Sequence, residues 1–321
     1  MPRMVGSSHL PLMGVAPGSR ESIRVATAPI SWGVCELDDW GLRLPWVTVL
    51  DQMAGAGYAG TELGPWGYLP TDPKDLEREL GARGLALVGA FCPLTLHLAE
   101  RAEEQVAEAL RTATLLRDLG AEVLVLADAG DDERRALAGQ LPCEHVGLRE
   151  PAWQRLAENA GRIAGRAREL GLETVFHPHA GSYVETAAEV EHLLAATARS
   201  QLGLCLDTGH LVWGGADPLD VVRRHGARVR HVHAKDVRAD VLACARRAGL
   251  DFPTAVGAGL FAPLGAGLVD FPRLLDDLVR QGYRGWLVVE QDLRIRSERS
   301  GLDPLRLART SRAFLEQRLG V

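Results

Sequence analysis

The sequence predicts an α/β protein built as one closed (β/α)8 barrel, and three observations carry that prediction. Short apolar runs rich in β-branched residues alternate with longer amphipathic helical stretches along nearly the whole chain. Eight such runs are present, each apolar enough to be buried on both faces of a parallel sheet. Five helical stretches end at a glycine that leads within a residue or two into the next run: Gly57, Gly84, Gly120, Gly171 and Gly282. An open doubly wound sheet would want a glycine-rich turn after its first strand, but PISWGVCE follows here, without GxGxxG.

The strands are expected over 23–28 (IRVATA), 60–63 (GTEL), 85–91 (LALVGAF), 123–127 (VLVLA), 173–177 (ETVFH), 202–206 (LGLCL), 230–233 (RHVH) and 286–290 (WLVVE). Helical spacing covers 46–56, 73–83, 103–119, 153–170, 187–198, 218–225 and 271–281, with a closing helix over 304–319. Asp217-Pro218 and Asp270-Phe271-Pro272 read as caps that open helices. Two connections are too long for plain turns, 128–150 and 237–269. The first reads equally as a packed excursion or as a loop over the site. The second, which contains AVGAGLFAPLGAGLVD and follows the seventh strand, is expected to be a long lid loop. Residues 1–21, rich in Gly, Pro and Ser, read as a flexible tail, leaving 22–321 as a single catalytic barrel domain.

Composition narrows the function. Of 321 residues 46% are hydrophobic and 24% charged, and the net charge of −6 gives no electrostatic reason to bind nucleic acid or an anionic membrane. No stretch approaches the ~20 apolar residues of a membrane span, and the N-terminus lacks an apolar signal core, so a cytoplasmic protein is expected. The five cysteines, Cys35, Cys92, Cys143, Cys205 and Cys244, are dispersed without a CxxC, as in reduced thiols that do not compete as metal ligands.

In a barrel of this kind the chemistry sits where strands end at their C-termini. Those ends carry Glu62, Asp128, His177 with His179, Asp207 with His210, His231 with His233, Lys235 and Asp236, and Glu290 with Asp292. A lone carboxylate there is more often a helix cap, and a lone strand histidine more often a core residue. Ligand-type residues ending four consecutive strands point instead to a shared divalent cation with N and O donors. Strand alternation puts His231 and His233 on one face, His233 nearer the rim as the ligand and His231 behind it. By the same rule Val175 shares a face with His177, and Phe176 points away. Trp32, Trp66 and Phe91 fall at or just past strand ends as a candidate apolar wall for a sugar-like ring, and His179 lies beside it.

Taken in order, HPHAGSYVET, LCLDTGH, HVHAKD and GWLVVEQD resemble the sugar phosphate isomerase/epimerase superfamily of xylose-isomerase-like barrels, most specifically its myo-inosose-2-dehydratase-like branch. APISWGV, TELGPWGYLP and GGADPLDVV extend the resemblance over residues 23–295. It implies Mn2+, Co2+ or Mg2+, manganese first, held by His177, Asp207, His233 and Glu290. It also implies substrate contact by His210, a pocket lined by Glu62 and Lys235, and a homodimer as a common assembly. Keto-sugar epimerases of the superfamily place glutamate where this chain has His177, and a metal-bound imidazole cannot act as the second carboxylate base. The resemblance therefore implies a dehydratase that removes an α-proton and water from a keto-cyclitol or related polyhydroxy ketone. Glu290 is the expected base with Glu62 second, and His210 or Lys235 the acid. The alternatives are a keto-sugar isomerase or epimerase, and a non-catalytic metal- and sugar-binding barrel. Relatives often carry an acid within PLGxG, where this chain has Ala266.

Overall fold

The computed structural model describes residues 20–320 except 38, 141–146, 199–200 and 298–300. Cys143 and residues 1–19 of the expected tail lie outside the described residues. Arg20 opens a short 3-10 turn, Arg20–Ser22, pairs with Asp276 and donates to the Arg318 carbonyl.

The first seven apolar runs form β1 (Ile23–Thr27), β2 (Gly60–Glu62), β3 (Ala86–Leu94), β4 (Val123–Asp128), β5 (Glu173–Phe176), β6 (Gly203–Asp207) and β7 (Val229–Ala234). A short ribbon, β8 (Asp236–Val237) with β9 (Phe261–Ala262), precedes the eighth barrel strand, β10 (Gly285–Val289). Neighbours pair in parallel in the order β1-β10-β7-β6-β5-β4-β3-β2, and β1 also pairs with β2, which closes the cylinder. The helices are α1 (Trp46–Gly55), α2 (Pro73–Gly81), α3 (Ala102–Asp118), α4 (Asp132–Ala136), α5 (Glu150–Glu169) and α6 (Ala187–Ala196). They continue with α7 (Thr208–Trp213), α8 (Pro218–His225), α9 (Ala239–Ala248), α10 (Phe252–Gly257), α11 (Phe271–Arg280) and α12 (Pro304–Leu319). Among the described residues no helix is long and apolar enough to cross a membrane.

Alternation along the strands divides two cores. Leu124, Leu126, Phe176, Leu204, Leu206 and Val232 face outward into the main core shared with the helices. Val123, Val125, Val175 and Cys205 form a separate cluster inside the cylinder, and Ala26, Val88, Trp286 and Val288 form another. The lumen is thus plugged with side chains. His177 lies two residues beyond Val175, Asp207 two beyond Cys205, His233 two beyond His231 and Glu290 two beyond Val288. All four share the inward parity, one layer above the plug.

The helix-ending glycines confirm the reading of the turns. Gly57, Gly84, Gly120, Gly171 and Gly282 all have φ between 67° and 85°, a left-handed conformation that glycine adopts without steric cost.

The region expected as a lid loop is largely folded. Its ribbon pairs Asp236 with Ala262 and Val237 with Phe261 in antiparallel register, and α9 and α10 pack on it with Trp40 and Trp213. One carboxylate tethers its far end: Asp236 accepts from the backbone N–H groups of Gly265 (2.9 Å), Gly267 (2.8 Å) and Val269 (3.0 Å), and it leaves no room for a Cβ at Gly267. Ala266, where relatives often carry an acid within PLGxG, lines a second cavity beside this excursion.

Two glycine substitutions separate backbone conformation from space, since a Cβ meets nothing within 4 Å at either position. Gly171→Ala, at φ 82°, is expected to lose about 1 kcal/mol of unfolding free energy. Gly161→Ala, inside α5, is expected to gain roughly 0.5–1 kcal/mol. Urea denaturation of the two variants checks the sign of each.

Candidate active site

The strand ends open into a cavity of about 280 Å³ at the mouth of the barrel. At its floor the structure brings together the residues that the sequence set at five strand ends. His177 Nε2 is 3.2 Å from Asp207 Oδ2, and His233 Nδ1 is 3.6 Å from the same oxygen and 3.3 Å from Glu290 Oε2. Register explains the closeness, because Asp207 and His233 are direct partners across β6 and β7.

Glu62 sits behind this group and sets its orientation. Its Oε1 lies 2.7 Å from His231 Nε2 and 2.9 Å from His233 Nε2. A carboxylate accepts only, so each imidazole directs a donor N–H at it. With Nε2 donating, His233 turns Nδ1 toward Asp207 and Glu290. Burial would lower this histidine, but the negative groups around it, Glu290 and Glu62 among them, hold it well above its ordinary range, so Nδ1 carries a second proton unless a metal cation takes that place. A lone pair facing two carboxylates is repulsive unless a proton or a metal cation lies between them. His177, Asp207, His233 and Glu290 supply two imidazoles and two carboxylates, a donor set that fits a divalent cation. Two donors about 2.1 Å from one cation at right angles lie roughly 3.0 Å apart, close to the separations found here.

Charge balance points the same way. Asp207, Glu290 and Asp292 are all buried around one lysine, with buried Glu62 behind His233. The Lys235 ammonium is 3.3 Å from Asp207 Oδ2, 3.0 Å from Glu290 Oε2 and 2.9 Å from Asp292 Oδ1. Burial alone would raise Asp207, but the Lys235 ammonium, with hydrogen bonds from His177 and His233, outweighs it and holds the carboxyl well below its ordinary range. Burial is likewise outweighed at Glu290 by His233 and Lys235, and at Glu62 by His233 and His231, so both are held low. At Asp292 burial prevails over Lys235, and the carboxyl is pushed up to about 6. Burial would lower Lys235, yet the surrounding carboxylates raise it well above its ordinary value.

Two further histidines line the wall, with tautomers fixed by their backbone partners. His210 Nδ1 accepts from the Ala180 N–H at 3.1 Å, which puts its proton on Nε2. His179 Nδ1 donates to the Ala180 carbonyl at 2.9 Å, which leaves its Nε2 an acceptor. The rings lie 4.0 Å apart. Burial lowers both, His179 to about 3, so the pair is neutral and offers one donor and one acceptor.

Other expected residues fall differently. Phe91 lines the cavity edge-on to His177. Trp32 does not reach it: the ring is fully buried in the main core and its Nε1 donates to Gln52 Oε1 at 2.7 Å. Trp66 also lies outside the lining, half-exposed under the Arg111 guanidinium at 4.4 Å. Phe252, from the excursion after β7, supplies apolar wall where those tryptophans were expected. Asp207 doubles as a cap, accepting from the His210 N–H at 2.8 Å through its other oxygen. Cys205 was set aside with the other cysteines, yet its sulfur lies within 4.8 Å of the His177 and His233 donors. It stands two residues before Asp207 on the same strand face, a spacing legible in LCLD. Burial pushes this thiol up to about 11, so it stays protonated and is no thiolate ligand. Glu36, in the WGVCE segment, lines the cavity and was not singled out from the sequence.

The family of xylose isomerase-like TIM barrels matches residues 50–318. The chain belongs to this family. Among its relatives, the rhizopine catabolism protein MocC of Rhizobium meliloti is 40% identical over 272 residues, 84% of this chain and 82% of that one. An inosose dehydratase of Geobacillus kaustophilus is 35% identical over 275 residues, 84% of this chain and 87% of the other. Among solved structures, a xylose isomerase-like TIM barrel protein from Mycobacterium smegmatis in complex with magnesium superposes with a TM-score of 0.66 at 18% identity. It covers 94% of this chain and 98% of its own.

Two substitutions test the cluster. Asp207→Asn should lose most of the divalent metal that the wild-type chain retains through dialysis, measured by elemental analysis; full occupancy would remove Asp207 from the ligand set. Glu62→Gln, which leaves the proposed ligands intact but weakens the hold on His233, should reduce metal affinity about 10–100-fold in a competitive chelator titration.

Proposed function

We propose that this chain is a divalent-metal-dependent lyase that dehydrates a keto-cyclitol or a closely related polyhydroxy ketone, as its inosose dehydratase relatives do by name. The observation that carries the reading is His177 at the end of β5. With imidazole there, the cluster has one carboxylate, Glu290, in position to act as a base, which suits removal of a single α-proton followed by elimination. An epimerase that works with opposed metal-bound carboxylates would need a second base in that place.

His177, Asp207, His233 and Glu290 would hold the cation, with Mn2+ first and Mg2+ or Co2+ as alternatives, as the family resemblance implies. When bound, the metal supplies Lewis acidity that polarises a ketone and makes its α-hydrogen more acidic. The remaining work falls to the chain's own residues. Glu290, ionised because His233 and Lys235 offset its burial, takes the α-proton. Glu62 keeps His233 in the required tautomer and acts through it, rather than as a base, because one of its oxygens is shared by two imidazoles. His210 donates and His179 accepts toward ring hydroxyls, while Phe91 and Phe252 exclude water from the apolar sides of the ring. Lys235 is a poor acid, since three carboxylates hold its proton, and it serves to balance charge.

With a 2-keto cyclitol in D2O, the wild-type chain is expected to give a product that has lost one water. A product of unchanged formula, apart from deuterium, would instead mark an isomerase or epimerase. Glu290→Gln should lower kcat by about 10²–10⁴-fold with a much smaller change in KM, read from initial rates of product formation.

A further inference from the structure

Dehydration needs an acid as well as a base, and the residues described so far do not supply one. Lys235 is held by three carboxylates. His210 is neutral, and giving up its Nε2 proton would leave an imidazolate, a costly anion in a buried wall. The carboxyls around the cavity are mostly engaged. Glu62 is bound to two imidazoles, Asp128 to His97 and the N–H groups of Gly130 and Tyr183, and Glu290 and Asp292 to Lys235.

Glu36 is the exception. It hangs from the loop after β1, beside β10, whose end carries Glu290. Its carboxyl forms no ion pair among the described residues and is open to the cavity that it lines. We propose that Glu36 is the general acid of this site, passing its proton to the hydroxyl that departs once Glu290 has removed the α-proton; this role rests on the dehydratase reading above.

The step balances without a redox partner. The α-carbon's C–H bond breaks and its proton goes to Glu290. The electron pair left behind forms the new C=C bond, and the β-carbon's C–O bond breaks with its pair on oxygen. That oxygen takes the Glu36 proton and leaves as water. Glu36 ends ionised and Glu290 protonated, and exchange with solvent restores both.

The surroundings of Glu36 suit the role. Glu36 is exposed, facing solvent across the open cavity. The protein around its carboxyl, with the negative charges of Glu290 and Glu62, pushes it up to about 7 against its own backbone N–H and Arg43, and that pull is complete only when substrate displaces the cavity water. The neighbouring thiols, Cys35 and Cys92, are each pushed up to about 12 by burial and carry no charge that would displace it. A carboxylic acid of this strength keeps its proton to near neutral pH and can still release it, the compromise that general acid catalysis requires.

The test is Glu36→Gln, with Glu36→Asp beside it, in the metal-loaded enzyme on a 2-keto cyclitol in D2O. In Glu36→Gln, dehydration should fall by roughly 10²-fold or more while KM stays near the wild-type value. Exchange of the α-hydrogen for deuterium, which needs only Glu290, should persist, so that exchange gains on elimination. An acid works only while protonated, so the wild-type kcat should decline as pH rises through the Glu36 range. That alkaline limb should vanish in Glu36→Gln and return, at reduced rate, in Glu36→Asp. A Glu36→Gln enzyme with wild-type kcat, or one that loses exchange and elimination equally with the limb unchanged, overturns the role while the dehydratase reading stands. A wild-type chain that releases no water from any 2-keto cyclitol overturns both.

Discussion

Four buried carboxylates share one small volume at the mouth of this barrel, and the rest of the site is arranged to make that tolerable. An ionised carboxylate taken out of water without a partner is costly enough that it would otherwise take up a proton. Here the partners come from across the fold. Glu62 at the end of β2 meets His231 and His233 on β7, at sequence separations of 169 and 171 residues. Closure of the cylinder makes those contacts possible, and they fix which nitrogen of His233 faces Asp207 and Glu290. Nδ1 of His233 then faces two carboxylates and needs a proton or a cation between, so a metal site at this point would depend on the Glu62 contact as much as on the ligands themselves.

Around that charged floor the walls are mostly apolar or neutral. The histidine pair His179 and His210 is kept uncharged by burial, and its hydrogen bonds to one residue, Ala180, split donor and acceptor between the two rings. Phe252 comes from a segment folded on its own small core and tied down at its far end by Asp236. The site is therefore built from strand ends below, a helical excursion on one side and the loop after β1 on another. Fixed dipoles and fixed proton positions suit a reaction in which charge develops briefly on a ketone oxygen.

Much of this was legible in the sequence because it depends on local rules. Strand periodicity put His177, Asp207, His233 and Glu290 at corresponding places, and alternation gave His231 its place below His233. Where the reading went astray, the cause was tertiary. Trp32 is a large aromatic just past a strand end, but the 3-10 turn Pro29–Trp32 carries it into the main core, where Gln52 satisfies its N–H. Trp66 packs under Arg111 instead of facing the cavity. The stretch over 237–269 looked like a loop because its glycines interrupt helical spacing, and the short elements α9, α10 and the ribbon share a small apolar core with Trp40 and Trp213. Cys205 was passed over as a dispersed thiol, although its spacing from Asp207 placed it on the same inward face.

The sequence by itself determined the barrel, the helix-ending glycines and a rim of ligand-type residues at the strand ends, because each follows from a period of two or 3.6 residues or from a backbone angle that glycine adopts freely. The choice of four donors among that rim came from family resemblance. Only the tertiary structure decided which donors share an atom-scale neighbourhood, which nitrogen of each imidazole faces a partner, and which cavity carboxyl has no ion pair among the described residues. Those are matters of distance between strands far apart in the chain, and local periodicity carries no information about them. Glu36 is the clearest instance: one acid in a loop, singled out only when the folded chain shows every other carboxyl of the cavity to be engaged.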